Sequence, residues 1–268
     1  MLFLATLIWG LSYSIQTISA DHLGTYAIVF FKGLGGIFLL PFLILQKKRI
    51  DKESLKGGIL IGIFALSGCV MQQIGIASST VSKSSFITAL YIIIVPAIGF
   101  LLGNKTSKRI LVSIALACMG LYFLCFSTTV KLQIGDLYLF LGSICFALQI
   151  IYIDKYSQTC DPIILTFVQQ LLISICTGIA MLVWEKPSLS DFHLSLFPIL
   201  YLVFASGMIA QSLQIIYQKD TGPVLGSLIM SFESVFGALG GWIILSQTLS
   251  LREIFGCFLL LAGILLAE

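Results

Sequence analysis

QQIGIASSTVSKSSFITALYIIIVP, residues 72–96, is echoed on the other side of the chain's midpoint by QIIYQKDTGPVLGSLIMSFES, residues 214–234. Each stretch begins near the end of one long apolar segment and leads into another. A glutamine precedes a threonine at the same spacing in both, as Gln73 and Thr80 in the first stretch and Gln214 and Thr221 in the second. The echo predicts that the chain consists of two related halves.

The composition is that of an integral membrane protein. Of the 268 residues, 58% are hydrophobic and only 10% are charged, and the mean hydropathy is +1.06. Soluble domains have about 45–50% apolar and about 25% charged residues. The formal net charge of +3 is modest and the basic residues are clustered, so no nucleic-acid partner is indicated. The lipid bilayer is the predicted environment.

Ten apolar runs are long enough to cross a bilayer. A hydrocarbon core of about 30 Å requires roughly 17–25 apolar residues in a helix, whereas the strands of a β-barrel alternate over about ten residues. We therefore predict an all-α integral membrane fold with ten transmembrane helices. The runs are residues 2–20, 23–46, 57–76, 83–103, 109–127, 135–153, 162–184, 193–217, 223–246 and 251–267.

The basic residues between the runs set the predicted orientation. With a cytoplasmic N-terminus, the inner loops carry ten lysines and arginines and the outer loops carry four. Positively charged loops stay preferentially on the cytoplasmic side. The bias predicts a multi-pass protein of the cell membrane with both termini in the cytoplasm.

Five spans in each half imply an inverted repeat. With an odd number of spans, the second half enters the membrane from the side opposite to the first. We place the first repeat, helices 1–5, at residues 1–130 and the second, helices 6–10, at residues 131–268. Two such halves can pack in two nearly equivalent ways, one open to each face, as alternating access requires.

Polar side chains inside the spans mark a predicted substrate cavity. A polar group that faces lipid finds no hydrogen-bond partner, so we expect these residues to surround a central cavity among spans 1, 3, 4, 6, 8 and 9. Gln72, Gln211 and Gln218 belong to this polar set. The residues predicted to contact substrate are Trp9, Ser12, Tyr13, Gln16, Gln73, Thr88, Tyr91, Gln149, Tyr152, Gln214 and Ser231.

Two charged residues, Lys32 and Glu233, lie deep inside predicted spans. A charge near the bilayer centre costs about 2.5–3.5 kcal/mol on insertion scales, so each must be neutral, paired or hydrated. Glu233 is predicted either to titrate during transport or to be a hydrogen-bonded structural residue. The uncharged residues have structural alternatives too, because Ser and Thr bond to their own helix and Gln joins neighbouring helices.

The sequence offers no catalytic or metal-binding motif. Its two histidines, His22 and His193, lie near span ends, and it contains neither a HExxH motif nor a P-loop. The seven cysteines lie mostly inside apolar runs without CxxC spacing, which is typical of buried thiols. We therefore expect no enzymatic activity, no cofactor and no metal.

Pairs of glycines four residues apart allow helices to approach closely. They occur at positions 58/62, 99/103, 222/226 and 237/241. The sequence leaves open whether these contacts form within one chain or between two copies in a homodimer.

The ordered set of motifs resembles the drug/metabolite transporter superfamily, in its EamA-type branch. The residues that carry the resemblance are Trp9, Gly10, Ser12, 79–83, 86–91, Val95, Pro96 and Gly120 in the first half, and Gln214, Gln218, Thr221, Pro223, Glu233, 249–251, Gly256 and Gly263 in the second. The chain departs from the family's common pattern at three places. The family commonly has Pro at the position of Ser234 and often Arg at the position of Lys32. Residues 246–248 of this chain replace a turn that in the family is commonly similar to Gly-Glu-Arg.

The resemblance implies a ten-helix permease that moves small metabolites, frequently outward and frequently amino acids or related compounds. A nucleotide-sugar or drug transporter of the same superfamily is the alternative within transport. A non-transporting membrane scaffold or sensor is the alternative from another class. It would need a surface for partners, and the longest loop, about residues 46–56, is too short for a docking domain.

Overall fold

The fold is helical throughout the part of the chain that the structure describes. This computed structural model describes residues 1–103, 107–125, 133–248 and 250–267, and within these ranges there is no β-strand. The end of the fifth predicted span, residues 126–127, and residue 249 of the resemblance lie outside the described ranges. The predicted all-α fold class is confirmed.

The first half contains seven α-helices and one 3₁₀ segment among its described residues. They are α1 (Leu2–Ser19), α2 (Thr25–Leu34), the 3₁₀ segment (Gly35–Leu39), α3 (Leu40–Leu45), α4 (Lys52–Ile76), α5 (Val81–Thr88), α6 (Tyr91–Leu101) and α7 (Lys108–Cys125). The third predicted span therefore begins at Lys52 rather than at residue 57, because Asp51 caps α4 by accepting a hydrogen bond of 2.7 Å from the Ser54 backbone N–H. This bond lowers the pKa of the Asp51 carboxyl.

The second half adds seven more α-helices and two π-helical segments in its described part. They are α8 (Ile134–Ser157), α9 (Pro162–Ala180), a π segment (Met181–Glu185), α10 (Leu189–Leu194), α11 (Leu196–Leu200), a second π segment (Tyr201–Ala210), α12 (Gln211–Met230), α13 (Glu233–Leu245) and α14 (Leu251–Ala267). The backbone of α12 is broken at Gly222, whose φ is 71° and ψ is 173°. Pro223 follows this break, which lies between the eighth and ninth predicted spans.

Seven described helical stretches are long and apolar enough to cross a membrane. One of them, Leu196–Leu245, is 50 residues long and contains the Gly222 break. The others are Leu2–Ser19, Thr25–Leu45, Lys52–Ile76, Val81–Leu101, Ile134–Ser157 and Pro162–Glu185. The chain is therefore a multi-pass membrane protein.

Glycines set the closest helix contacts. A Cβ on Gly120 of α7 would lie 2.6 Å from the Gly256 backbone oxygen of α14. Gly58 and Gly62 of α4 pack against residues 165–172 of α9. These last two glycines, one of the predicted close-approach pairs, thus make their contacts within the chain.

Two spans tighten at matching positions. Between α5 and α6, and again between α12 and α13, backbone hydrogen bonds shorten from a four-residue to a three-residue spacing. The donors of the short bonds are Leu90, Ile92 and Ile93 in the first case and Phe232, Ser234 and Val235 in the second. A 3₁₀ stretch inside a helix often marks a functional hinge, and here α6 begins at Tyr91 and α13 at Glu233.

The helices α2 and α9 pack against each other. A carboxylate at the end of the π segment that follows α9 binds the start of α2. Glu185 accepts hydrogen bonds from the backbone N–H groups of Tyr26 and Ala27, both at 2.8 Å. A Cβ on Gly24 would overlap the Glu185 carboxylate, so glycine at this position leaves room for it. The negative charge also suits the positive end of the helix dipole.

The start of α9 is held in a related way. Asp161 accepts hydrogen bonds from the backbone N–H groups of Ile163 at 2.9 Å and Ile164 at 3.3 Å. Its carboxylate also forms a salt bridge of 2.5 Å with Lys48, which follows α3. The span formed by α2, the 3₁₀ segment and α3 is therefore joined by a carboxylate at each end to the span formed by α9 and the π segment after it, and we call these two spans the α2–α9 pair.

Candidate functional site

A cavity lies at the centre of the helices. Its empty volume is about 530 Å³, counting the space that opens to the surroundings. The lining residues are Trp9, Ser12 and Tyr13 of α1, Lys32 of α2, Ala65, Cys69 and Gln72 of α4, Thr88 of α5, Tyr91 of α6, Phe146, Gln149 and Ile150 of α8, Gln211, Gln214 and Met230 of α12, and Glu233 of α13.

The first residues of the two half-helices α6 and α13 meet in this cavity. The Tyr91 hydroxyl donates a hydrogen bond of 3.0 Å to Glu233 Oε1. Both side chains are buried, with exposed fractions of 4% and 5%. Gly10 of α1 allows α13 to approach, because a Cβ at this position would lie 2.7 Å from the Glu233 backbone oxygen and even closer to the Phe236 side chain. The site therefore holds a carboxylate in a largely apolar setting.

Lys32 supplies the positive charge of the cavity. Lys32 and Glu233 line the same cavity but form no salt bridge. The only ion pairs within 4.0 Å among the described residues are Lys48–Asp161 and Lys83–Asp136. The Lys32 backbone is fixed by Gln170, whose Nε2 donates to the carbonyl oxygens of Lys32 and Gly207, at 3.3 Å and 2.5 Å. A cation and an anion thus face one cavity without neutralising each other by direct contact.

Further hydrogen bonds orient the first-half wall. Gln72 Nε2 donates to the Tyr13 hydroxyl at 2.9 Å and lies 3.5 Å from Thr88 Oγ1. The Trp9 indole N–H donates at 3.4 Å to the carbonyl oxygen of Ser206, in the second π segment. The aromatic rings of Trp9 and Tyr13 are therefore held by their polar atoms while their faces line the cavity.

Three glutamines form a directed chain along the second-half wall. Gln211 Nε2 donates to Gln214 Oε1 at 2.9 Å, and Gln214 Nε2 donates to Gln218 Oε1 at 3.1 Å. Gln218 Nε2 then donates to the Ile150 backbone oxygen at 2.6 Å. Only Gln211 and Gln214 line the cavity, and Gln218 lies behind them with an exposed fraction of 0%.

The structure brings most of the sequence-predicted residues together. Those that line the cavity are Trp9, Ser12, Tyr13, Thr88, Tyr91, Gln149, Gln214, Lys32 and Glu233. Lys32 adds the second span to the six spans expected around the cavity. Contact of these residues with a substrate stays a prediction.

Four predicted residues lie outside the lining. Gln16 donates its amide to the Ser12 backbone and hydroxyl, at 3.0 Å and 3.1 Å. Tyr152 stacks on Phe64, with ring centroids 5.3 Å apart. The Ser231 hydroxyl donates a hydrogen bond of 2.7 Å to the Leu228 carbonyl of its own helix. Gln73, with 1% of its surface exposed, is buried away from lipid, and its amide has no hydrogen-bond partner among the described residues.

Sequence reasoning assigned no substrate contact to several lining residues. Gln72 and Gln211 were recognisable as polar residues of the right spans. Phe146 lies 137 residues after Trp9, the same interval that separates Tyr26 from Ile163, and both Trp9 and Phe146 line the cavity. The remaining residues are apolar and carry no signal that separates them from the core: Ala65, Cys69, Ile150 and Met230.

Apolar spans around a mixed-charge cavity define a membrane protein that can hold a small solute inside the bilayer. Comparison with known proteins makes the class specific. The model of the EamA-like transporter family matches residues 1–126 and again residues 133–267. An uncharacterized transporter of Archaeoglobus fulgidus is 30% identical over 271 residues, covering 100% of this chain and 84% of that protein.

A solved crystal structure also shares the fold. It superposes with a TM-score of 0.80 over 99% of this chain and 94% of its own, at 14% sequence identity. The chain belongs to the EamA-like transporter family, within the drug/metabolite transporter superfamily, and is a membrane transporter.

Removal of the Tyr91 hydroxyl is expected to destabilise the protein. In Tyr91→Phe the buried Glu233 carboxylate loses its donor, which costs about 1–3 kcal/mol, and adding Glu233→Gln restores part of the loss. Denaturant unfolding in detergent micelles measures both effects. Tyr217→Phe, at a half-exposed tyrosine outside the cavity, is the control. Equal stability losses in Tyr91→Phe and Tyr217→Phe would show that the Tyr91–Glu233 bond contributes nothing.

Proposed function

We propose that this protein is a permease that exports zwitterionic metabolites, amino acids foremost, by alternating access between two inverted five-helix repeats. The observation that carries the proposal is the central cavity, in which Lys32 and Glu233 face the same space without a salt bridge between them. The repeats correspond to residues 1–130 and 131–268, and the ten spans to the ten apolar runs.

The meeting of Tyr91 and Glu233 supports the inverted repeat. The two residues are 142 positions apart, each begins a half-helix, and each follows the same tightening of the backbone. Residues at equivalent positions of two halves can touch only near the axis that relates the halves. We therefore propose that the axis runs through the cavity, where transporters with inverted repeats bind substrate.

The two joined ends of the α2–α9 pair support the same symmetry. Tyr26 and Ala27 bind Glu185, and the residues 137 positions later, Ile163 and Ile164, bind Asp161. Lys48, which completes the second junction, is itself 137 positions before Glu185. In the second half, the carboxylate that binds the start of α9 comes from the N-cap of that same helix. In the first half, the carboxylate that binds the start of α2 comes from the second half.

The charges of the cavity fit a zwitterion. An α-amino acid carries an ammonium and a carboxylate close together, and these groups can bind Glu233 and Lys32 respectively through charge-assisted hydrogen bonds. The aromatic and aliphatic wall, including Trp9, Phe146 and Met230, can accommodate an apolar side chain. The substrate would then contact both charges, which form no salt bridge with each other.

The same lining disfavours the nucleotide-sugar alternative. Lys32 is the one lysine or arginine among the lining residues, whereas a diphosphate is usually bound by several basic side chains or by backbone N–H groups. A drug transporter requires no cation–anion pair of this kind. The scaffold alternative leaves the cavity and its charges without a role.

Purified protein in proteoliposomes is expected to mediate flux of L-phenylalanine or another member of a panel of labelled amino acids. Phenethylamine and 3-phenylpropionate, which each lack one charge of phenylalanine, are expected to compete weakly. Lys32→Met should lower transport at subsaturating substrate by about tenfold or more, because a charge-assisted hydrogen bond is lost.

Lys56→Met, at an exposed lysine of α4, is the matched control and should transport like the unaltered protein. Absence of flux for every amino acid, with the protein folded, would sink the amino-acid proposal. Flux of nucleotide sugars or organic cations in the same vesicles would then indicate the superfamily alternatives.

We also propose a cell-membrane location with both termini in the cytoplasm and net transport outward, as the basic inner loops and the family resemblance indicate. Green fluorescent protein fused to the C-terminus in bacteria should fluoresce, and alkaline phosphatase fused there should be inactive. The opposite pattern would overturn the topology. Overproduction should lower the cellular content of the transported amino acid, and a rise would indicate uptake instead.

A further inference from the structure

The glutamine chain on the second-half wall has a fixed direction. It ends at the Ile150 backbone oxygen, which can only accept a hydrogen bond. Gln218 must therefore turn its Nε2 toward Ile150, 2.6 Å away, and its Oε1 toward Gln214. Gln214 in turn must donate to Gln218 and accept from Gln211. The Ile150 backbone carbonyl thus determines how the amides of Gln214 and Gln211 are oriented.

The direction of the chain has a chemical consequence at the cavity. Gln211 uses one N–H in its bond to Gln214, so its Oε1 is left as an acceptor at the cavity end of the chain. Without the anchor at Ile150, each amide could rotate by 180° and exchange its oxygen and nitrogen. A wall whose amides rotate freely would present donors and acceptors in random order to a substrate.

The described residues of the first half contain no equivalent chain of amides. The residue 141 positions before Gln214 is Gln73, and the residue 141 positions before Gln218 is Ala77. Ala77 can supply no amide, and the Gln73 side chain is buried with no hydrogen-bond partner among the described residues. Within the described part of the chain, the anchored chain of amides therefore occurs in the second half alone.

We propose that Gln218 is a positioning residue for substrate recognition: by anchoring to Ile150 it orients Gln214 and Gln211, so that Gln211 Oε1 accepts a hydrogen bond from an N–H group of the substrate. The proposal rests on the proposed transport of zwitterions. Gln218 itself lies behind the lining and touches no substrate.

The first test compares Gln218→Met with Gln158→Met. Gln158 is a suitable control because its Nε2 also donates from one helix to a carbonyl of the other, the Lys219 oxygen of α12 at 3.2 Å, at an exposed site far from the cavity. With the amino acid that the unaltered protein transports fastest, Gln218→Met should raise KM about tenfold with little change in maximal rate. Gln158→Met should change neither.

A double-mutant cycle separates positioning from a general loss of structure. If Gln218 acts through Gln211, then Gln211→Met raises KM by a similar factor, and the two changes together are no worse than either alone. The proposal would be overturned if the increases in KM multiplied in the double variant, or if folded Gln218→Met had an unchanged KM. Gln218→Asn, too short to bridge Gln214 and Ile150, replaces Gln218→Met if that variant does not fold.

A measurement without substrate keeps this test apart from the test of transport. In protein labelled with ¹⁵N at glutamine side chains, the NH₂ signals of Gln211 and Gln214 should shift or broaden in Gln218→Met and stay unchanged in Gln158→Met. Unchanged signals in Gln218→Met would refute the anchoring role whatever the protein transports. Changed signals together with no amino-acid flux would refute the proposed function alone.

Discussion

The hydrocarbon core of a membrane offers no hydrogen-bond partner, and the structure of this protein follows from that constraint. Each polar side chain inside a span must find a partner within the protein or face a polar space. The strongest case is Glu233, whose carboxylate is almost fully buried and receives its hydrogen bond from Tyr91. The helices that carry these groups are thereby drawn around one cavity, while their apolar faces are left for lipid.

The same contact connects the site to the symmetry of the fold. Tyr91 and Glu233 occupy equivalent places in the two proposed repeats, so the bond between them crosses the proposed axis. The tightened turns that precede both residues are where a span can bend with small changes in backbone angles. A change of access can then leave the centre in place while the outer and inner ends of the halves move. The α2–α9 pair, joined at both ends, is suited to act as a stable edge for such a motion.

The sequence predicts the helical class and much of the cavity, because both depend on hydropathy and periodicity. Ser12 and Tyr13 were found from their common helical face, and Glu233 and Lys32 from being charged within apolar runs. The same periodicity includes Gln16, which lies one turn farther along α1 and bonds to Ser12 instead. Periodicity gives the face of a helix but not the depth at which a cavity ends. Tyr152 lies outside the lining for a similar reason, since its stacking on Phe64 depends on the packing of two helices that are far apart in the sequence.

Other features need three-dimensional contacts that no local pattern encodes. Ser231 lies where the backbone tightens before Glu233, and its hydroxyl bonds within its own helix. Gln218 is a polar residue of the right span, but its role depends on the Ile150 carbonyl of another helix. The Glu185 junction was not predicted either, because it joins residues 159 positions apart at the ends of two helices.

The central claim is that the two halves rearrange around a fixed centre, and distances between spin labels test it most directly. In protein whose seven native cysteines are replaced, labels at positions 82 and 133 report on one end of the molecule and labels at positions 52 and 219 on the other. In lipid nanodiscs we expect two distance populations for each pair, with added substrate lengthening one distance and shortening the other. Distances that stay single and unchanged, or that change in the same direction at both ends, would contradict the account.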